Sequence, residues 1–272
     1  LLIFNAVGCS SVIPGIEIPE PSVVYDINGR EIKGLSAQNS IKLNIKEISP
    51  DFTSAIIAVE DKNFYRHHGV DPVGILRALY VNMREKKIVA GGSTITQQTA
   101  KNLFLTNERT LTRKALELIY ALQLERKYSK DEILTMYCNT IYFGHGAYGV
   151  EMAARNYFGK HASELSLAQA ALLAGLTQWP GHYDPFINPQ AARDRQKIVL
   201  QRMLEENMIS QEELDIALNE PLEYKKAPFL AGDAPYFMAM VIDYLTERYG
   251  HRSVFQGGMR IYTTLDLDLQ QV

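Results

Sequence analysis

The sequence has few cysteines: its 272 residues include only Cys9 and Cys138. Two cysteines cannot build a disulfide framework and do not match the spacing of a zinc site, so small stapled scaffolds are excluded. The net charge is also small, −3 from 28 Lys and Arg against 31 Asp and Glu, unlike the strongly basic balance of nucleic-acid-binding proteins. With 46% hydrophobic residues and no internal repeat or low-complexity tract, the composition is that of a folded protein with an ordinary core.

Positive charge is concentrated in one stretch of the chain. Residues 84–130 contain ten Lys and Arg against four Asp and Glu, a net charge of +6, which leaves −9 for the rest. A basic block inside an acidic chain indicates an anionic ligand or lipid headgroups. A solvated helix face is the alternative, and composition alone leaves both open.

The first eight residues are apolar except for one Asn. A bilayer-spanning helix needs about 20 apolar residues, so we interpret this segment as the end of a transmembrane anchor. Residues 6–9 also fit the cleavage site of a lipoprotein modified at Cys9, and a buried strand is a third interpretation. The first two interpretations predict a protein held at a membrane.

Capping signals predict a mainly helical chain. Capping residues followed by Pro predict helix starts at Pro50, Pro72 and Pro189, and capping boxes predict helix starts after Ser129, Ser166 and Ser210. Near the N-terminus, Asn28-Gly29 lies between strand-forming residues and predicts a β-hairpin with a type I′ turn. Residues 259–265 are rich in strand formers, and we expect them to form the first strand of a following unit.

Glu60 and Asp61 end the first predicted helix, directly after the apolar residues 56–59. A carboxylate at the negative end of a helix dipole, beside a second acid and apolar side chains, is unfavourable as an anion and takes up a proton more readily. A general base working near neutral pH needs that property. An exposed acidic pair is the alternative, and the nearby His67, taken alone, favours a structural role.

A glycine-rich segment, Gly91-Gly92-Ser93-Thr94, precedes a predicted helix over residues 95–105. Free N–H groups at a helix start, with hydroxyls beside them, can receive an anionic oxygen, and Lys101 would add a full positive charge. The segment lacks the Gly-Lys-Ser/Thr of a nucleotide P-loop. A flexible loop with an ordinary N-cap is the alternative.

The helix predicted to start at Thr110 carries Arg113, Lys114 and Glu117 on one face and leucines on another. Cations in a first turn oppose the helix dipole, and Arg before Glu is the weaker order for an i,i+4 ion pair. Stability alone would therefore not select this arrangement, whereas a bound phosphate would relieve it. A plain salt bridge is the alternative.

These residues lie in motifs that resemble those of a known family. The motifs are Glu60-Asp61-x-x-Phe64-x-x-His67-x-Gly69-x-Asp71, Gly92-Ser93-Thr94-Ile95-Thr96-Gln97-Gln98-x-x-Lys101-Asn102, Arg113-Lys114-x-x-Glu117 and Tyr142-Phe143-Gly144. In this order they resemble the peptidoglycan glycosyltransferase domain, glycosyltransferase family 51, of class A penicillin-binding proteins. Glycosyl transfer from a lipid-linked pyrophosphate is also the simplest chemistry that uses two glutamates, a cationic cradle and a membrane tether.

The resemblance implies a mainly α, lysozyme-like, two-lobed fold with a small N-terminal β-hairpin, a C-terminal linker strand and a smaller lobe partly immersed in the membrane. It implies that Glu60 is the general base for the acceptor's 4-hydroxyl and that Glu117 assists at the donor's pyrophosphate. The substrate-binding residues it implies are Asp61, Phe64, His67, Ser93, Thr94, Gln98, Lys101, Asn102, Arg113 and Lys114. It implies no certain cofactor and leaves open a divalent cation, Mg²⁺ or Mn²⁺, at the pyrophosphate.

The implied substrates are lipid II and the growing glycan strand, joined with inversion into a β-1,4 glycan with release of undecaprenyl pyrophosphate. Membrane lipid and cell-wall synthesis proteins are the other implied partners, and no nucleic acid is expected. The implied location is the bacterial cell membrane, with a single-pass anchor and the catalytic domain on the extracytoplasmic face. Four units are expected: the end of the transmembrane anchor at 1–13, a spacer and β-hairpin at 14–48, the glycosyltransferase domain at 49–250, and the start of a linker towards a transpeptidase domain at 251–272. The Ser-x-x-Lys and Lys-Thr-Gly motifs of a transpeptidase do not occur in this sequence.

The sequence departs from the family pattern at two places. Cys138 stands where Leu is usual, and Thr177-Gln178-Trp179-Pro180 replaces a more usual Pro-Gln-Ala-Pro; we interpret both as packing variation. A lysozyme-like or lytic enzyme would use Glu60 as a general acid, but hydrolysis has no use for the cationic cluster. A catalytically silent scaffold for wall synthesis is the remaining alternative, against which the intact glutamates argue.

Overall fold

The structure is a computed structural model that describes residues 22–32, 42–85, 91–105, 110–145, 147–225, 234–249, 253–254 and 257–270. The expected anchor at residues 1–13, including Cys9, lies outside the described residues, as do parts of the expected spacer and linker. Among the helices that the structure describes, none is both long enough and apolar enough to cross a membrane.

Helices make up most of the described chain, which confirms the mainly α fold class. They are α1 (Pro50–Glu60), α2 (Pro72–Glu85), α3 (Ile95–Phe104), α4 (Leu111–Lys127), α5 (Lys130–Thr140), α6 (Val150–Phe158), α7 (Leu167–Leu176), α8 (Pro189–Glu205), α9 (Gln211–Asn219), α10 (Pro235–Tyr249) and α11 (Leu267–Gln270). The strands are β1 (Val23–Tyr25), β2 (Glu31–Ile32) and β3 (Arg260–Tyr262). Short 3₁₀ helices, Ile45–Glu47 and Ala162–Glu164, precede α1 and α7.

The predicted helix starts are confirmed. The prolines and capping-box serines found at them are Pro50, Pro72, Pro189, Ser129, Ser166 and Ser210. Ser49 precedes α1 but does not cap it, because its hydroxyl donates to the Leu165 carbonyl oxygen at 3.2 Å. This bond ties the start of α1 to the segment that precedes α7.

The predicted hairpin forms, but the predicted type I′ turn is wrong. Such a turn needs positive φ at two central residues, whereas Gly29 has φ +76° and Asn28 does not have a positive φ. The Asp26 carboxylate accepts the N–H groups of Asn28 at 2.9 Å and Arg30 at 2.7 Å. These bonds stabilise a three-residue turn in which Gly29 supplies the left-handed residue.

The C-terminal strand does not start a separate sheet. β3 pairs in parallel with β1, giving the sheet order β2-β1-β3. The rings of Tyr25 and Tyr262 stack with their centres 5.0 Å apart. Residues 260–262 thus form the predicted strand and pair with β1; the expectation that they lead into a following unit stays a prediction.

The main core is built around α7, which packs against both α1 and α8. Every residue of α7 after Leu167 is buried, and several of them are Ala or Gly, whose small side chains allow neighbouring helices to approach closely. α3 packs in turn against α4 and α5. The buried helices thus form a rigid support for the loops that lie between them.

Exposed large apolar side chains are most numerous on α2 and α4. In α2 these are Val73, Ile75, Leu76, Leu79, Tyr80 and Met83, and in α4 they are Leu111, Leu116, Leu118, Ile119 and Leu122. The leucine face of α4 therefore points outward, while Glu117, Ala121 and Leu124 face the interior. We refer to these eleven side chains as the apolar surface.

Gly149 precedes α6 with φ +81°, and a Cβ there would lie 2.8 Å from the Asn139 carbonyl oxygen. We expect Gly149→Ala to lower the free energy of unfolding by about 2–3 kcal/mol, because this backbone conformation is strained for alanine and the contact is with rigid backbone. Chemical denaturation measures the difference. Gly181→Ala is the control, since a Cβ at Gly181 meets no atom within 4 Å; equal losses in both variants would contradict this account.

Candidate active site

A cleft of about 630 Å³ opens at the C-terminal end of α1. Its walls include Glu60 from α1, Gln98 and Lys101 from α3, and Ser93 from the segment before α3. Thr177, directly after α7, also lines the cleft. The structure thus brings five of the residues implied by the family resemblance into one cavity: Glu60, Asp61, Ser93, Gln98 and Lys101.

Glu60 is half-buried and held by one hydrogen bond at each carboxylate oxygen. Oε2 accepts from Gln98 Nε2 at 2.8 Å, and Oε1 accepts from Thr177 Oγ1 at 3.1 Å. Gln98 is held in turn, since its Oε1 accepts from the Tyr137 hydroxyl at 3.4 Å. The carboxylate therefore faces the cleft in a fixed orientation, anchored to α3 on one side and to α7 on the other.

Asp61 and His67 join the end of α1 to the start of α3. The buried Asp61 carboxylate accepts the Ile95 N–H at 2.9 Å and contacts His67 Nε2 at 2.8 Å. His67 Nδ1 accepts the Gly69 N–H at 3.1 Å, so Nε2 carries the hydrogen that is donated to Asp61. Both side chains already have internal partners, and they position the cleft wall.

Two further residues implied as substrate-binding are buried. Thr94 donates its hydroxyl to the Gly69 carbonyl oxygen at 2.7 Å and caps α3 by accepting the Gln97 N–H at 3.1 Å. Phe64 is fully buried, and the Lys130 ammonium lies 4.5 Å from the centre of its ring. These side chains support the loop between α1 and α3 from inside.

A cationic cluster adjoins the cleft on the side of α4. Glu117 is buried; its Oε2 accepts from Arg113 Nη1 at 2.8 Å, and its Oε1 is paired with the Lys114 ammonium. Lys114 also donates to Ser93 Oγ at 2.9 Å, which connects the cluster to the cleft wall. Arg113 Nε is buried and has no hydrogen-bond partner among the described residues. A buried donor without a partner costs free energy in the folded protein.

Lys101 extends the cluster into the cleft. Burial lowers the pKa of its ammonium; the negative charges of Glu117 and Glu60 oppose that shift, while Arg113 and Lys114 add to it. Within the described ranges, no hydrogen bond or ion pair engages the Lys101 ammonium. Asn102, the next residue in α3, is half-buried. A charged donor without a partner in a half-enclosed cleft is suited to an anionic ligand.

The donor set does not fit a divalent cation bound directly at Glu117. Both of its oxygens are already paired with cationic side chains, which would repel a metal ion. No group of three or more His, Cys, Asp or Glu residues that could hold a metal occurs in the described part of the chain. Asp266-Leu267-Asp268, which has the spacing of a metal motif, forms the start of α11 instead, with the Asp266 carboxylate accepting the Asp268 N–H at 2.9 Å.

Three residues of the site lay outside the sequence-based predictions. Thr177, interpreted as packing variation, donates to Glu60. Arg202 donates to the Val59 carbonyl oxygen at 2.9 Å, and Arg195 also lines the cleft. A signal for Arg195 was present in the sequence, since it lies on the buried face of α8 among mostly apolar residues. Thr177 had no such signal, because its contact depends on where α7 ends.

Comparisons with known proteins identify the family of this chain. A family model described as Transglycosylase matches residues 28–204. Penicillin-binding protein 1A of Aquifex aeolicus is 48% identical over 255 residues, 93% of this chain and 35% of that protein. Penicillin-binding protein 2D of Bacillus subtilis is 39% identical over 95% of this chain and 38% of that protein. Penicillin-binding protein 1A of Escherichia coli is 40% identical over 96% of this chain and 31% of that protein. The chain therefore spans about a third of the length of these relatives.

Among solved structures, a 2.6 Å crystal structure of penicillin-binding protein 1A from Haemophilus influenzae is similar, with 25% sequence identity and a TM-score of 0.46. The match covers 93% of this chain and 28% of that one.

We expect Lys101→Met to raise the free energy of unfolding by about 1 kcal/mol at pH 7, because it removes a buried ammonium that has no partner. Since the pKa of Lys101 is lowered in the folded protein, the wild type gains stability as pH rises through that pKa towards 10.5. The advantage of the variant should therefore shrink in alkaline solution. Denaturation curves across pH measure this, with the exposed Lys197→Met as control; a destabilised Lys101→Met protein would contradict it.

Proposed function

Because the chain belongs to the transglycosylase family, we propose that it is a peptidoglycan glycosyltransferase that polymerises lipid II into β-1,4 glycan strands and releases undecaprenyl pyrophosphate. The observation that carries the proposal is the placement of Glu60 and Lys101 in one cleft. Lys114 reaches the same cleft through its hydrogen bond to Ser93. The base and the cationic cluster are thus close enough for one to act on the acceptor hydroxyl while the other acts on the donor's pyrophosphate.

Glu60 is suited to the part of general base. Its carboxylate lies in the cleft with two hydrogen bonds that fix its direction. Attack by the acceptor's 4-hydroxyl on the anomeric carbon of the donor requires that the hydroxyl lose its proton. Displacement from the face opposite the leaving group inverts that carbon, which accounts for a β-linked product.

The cationic cluster is suited to the leaving group. Pyrophosphate departs with a growing negative charge and needs no proton, so fixed positive charge lowers the barrier more than an acid would. Lys101 lines the cleft, and Arg113 and Lys114 lie beside it around the buried Glu117. Glu117 holds these two cations in place.

The apolar surface supports a membrane location for the same domain. Leu76, Leu79, Tyr80 and Met83 follow the i, i+3, i+4, i+7 pattern along one face of α2, and all are exposed. A contiguous exposed patch of this kind marks an interaction site. Since the donor carries a polyprenyl chain, we propose that the apolar surface contacts lipid on the extracytoplasmic side of the bacterial cell membrane while the cationic cluster receives the pyrophosphate headgroup.

We expect Glu60→Gln to reduce polymerisation of lipid II by about 10²–10⁴-fold, since the amide cannot take the hydroxyl proton. The assay incubates purified protein with lipid II in detergent and separates long glycan strands from short muropeptides. Glu212→Gln, exposed on α9, is the matched control and should keep full activity.

The assay distinguishes the proposed synthetic activity from the lytic and scaffold alternatives. Long strands from the wild type support synthesis. Cleavage of added glycan into muropeptides would support the lytic alternative, and no reaction with either substrate would support a silent scaffold. Undiminished turnover by Glu60→Gln would reject its assignment as the base.

We expect the triple variant Leu76→Ser, Leu79→Ser, Met83→Ser to bind vesicles of phosphatidylglycerol and phosphatidylethanolamine at least tenfold more weakly than the wild type. Each of these side chains contributes about 1–2 kcal/mol when its exposed area enters lipid. Co-sedimentation with vesicles measures the partition coefficient. Ile216→Ser on α9 removes an equally exposed apolar side chain outside the apolar surface; the same loss in this control would argue against a specific lipid-facing side.

A further inference from the structure

We infer that Oε1 of Glu60 is the atom that takes the acceptor proton, and that Thr177 is the positioning residue that makes this transfer possible. The inference rests on the proposed function, in which Glu60 is the base. It concerns how the two oxygens of one carboxylate are made different by their surroundings. Nothing in the motif that contains Glu60 distinguishes them.

The Oε2 side of the carboxylate faces a group that can only donate. The Tyr137 hydroxyl points at Gln98 Oε1, so the Gln98 amide directs its N–H towards Glu60. Tyr137 is fully buried, and burial raises its pKa well above the usual range, so this hydroxyl keeps its proton. Gln98 Nε2 has no lone pair to offer as an acceptor. A proton on Oε2 would occupy one of its two lone pairs and make it a weaker acceptor for the 2.8 Å hydrogen bond from Gln98.

The Oε1 side faces a group that can reverse its role. The Thr177 hydroxyl lies 3.1 Å from Glu60 Oε1 and 2.8 Å from the Ala174 carbonyl oxygen. A hydroxyl has one hydrogen and two lone pairs, so it can donate to only one of these acceptors at a time. With Glu60 ionised it donates to Oε1. With Oε1 protonated it can rotate, donate to Ala174 and accept from Glu60.

The transfer of the acceptor proton to Glu60 needs no further reactant. The acceptor's O–H bond breaks as its oxygen bonds to the donor's anomeric carbon, and the proton forms a new bond to Oε1. The electron pair of the broken anomeric C–O bond leaves with the pyrophosphate. The Thr177 O–H bond stays intact, and only its hydrogen bond moves from Glu60 to Ala174. The carboxyl group is therefore held in both protonation states with the same side-chain positions.

Other charged groups also interact with Glu60. The effect of Thr177 on the pH profile of activity must therefore be separated from the effects of those groups. The titratable groups that interact with it or share its cleft are Lys101, Tyr137, Arg195, Asp61, Lys62, Arg77, Arg202, Glu205 and Glu206. None of these groups is changed by a substitution at Thr177, which is uncharged. A shift in pH dependence on removing only the hydroxyl therefore reports on the contact with Oε1.

The test compares Thr177→Val, which keeps the shape and loses the hydroxyl, with Thr177→Ser, which keeps the hydroxyl. kcat/KM for polymerisation of lipid II is measured from pH 5 to pH 9. We expect the acidic limb of the profile to move to higher pH by about one unit in Thr177→Val, because the ionised carboxylate loses a donor. In Thr177→Ser the limb should stay at the wild-type position.

Two results would overturn the inference: a Thr177→Val profile that superimposes on the wild type, or a Thr177→Ser profile that shifts as far as that of Thr177→Val. If valine prevents folding, as judged by thermal melting, Thr177→Ala is the second hydroxyl-free variant and is read in the same way. A wild-type protein that makes no glycan at any pH would instead refute the proposed function, and this is seen before any variant is compared.

Discussion

The buried carboxylate of Asp61 is the contact on which the geometry of the cleft depends. The backbone N–H of Asp61 caps the end of α1 by donating to the Ile57 carbonyl oxygen, while the carboxylate accepts the N–H of the first residue of α3 and is held by His67. An anion is favoured at the N-terminus of a helix, and several hydrogen bonds offset the loss of solvation on burial. Because one group joins two helices, Glu60 on one and Gln98 and Lys101 on the other keep a fixed spacing without help from flexible loops.

The charged side chains beside the cleft favour the binding of an anionic ligand more than they stabilise the folded protein. Glu117 compensates Arg113 and Lys114, but among the residues that the structure describes it leaves an N–H of Arg113 without a partner and gives Lys101 no direct contact. Buried donors of this kind weaken a fold unless something else binds them. A diphosphate has the charge and the acceptor oxygens to satisfy all three cations together. The same residues that weaken the folded state are those that the proposed reaction needs.

Much of the fold could be predicted from the sequence where the signal was local. Capping boxes at Ser129, Ser166 and Ser210 depend on residues three positions apart, and each forms. The family was predicted too, because its motifs are long and ordered. The turn at Asn28-Gly29 was predicted wrongly because the carboxylate of Asp26, outside the turn dipeptide, decides its type. Thr177 and the pairing of β3 were missed because both depend on contacts between residues far apart in the sequence, which no periodicity records.

The pairing of β3 with β1 has a consequence for biosynthesis. The hydrogen bond between Ser22 and Met259 beside these strands spans 237 positions of the chain, and ribosomes add about 5–20 residues per second. The first strand therefore waits roughly 10–50 s after its own synthesis before its parallel neighbour exists. During that interval the hairpin exposes an open edge that could pair with another nascent chain. Completion of the sheet thus has to wait for the synthesis of β3, and the free edge of β1 needs protection until then.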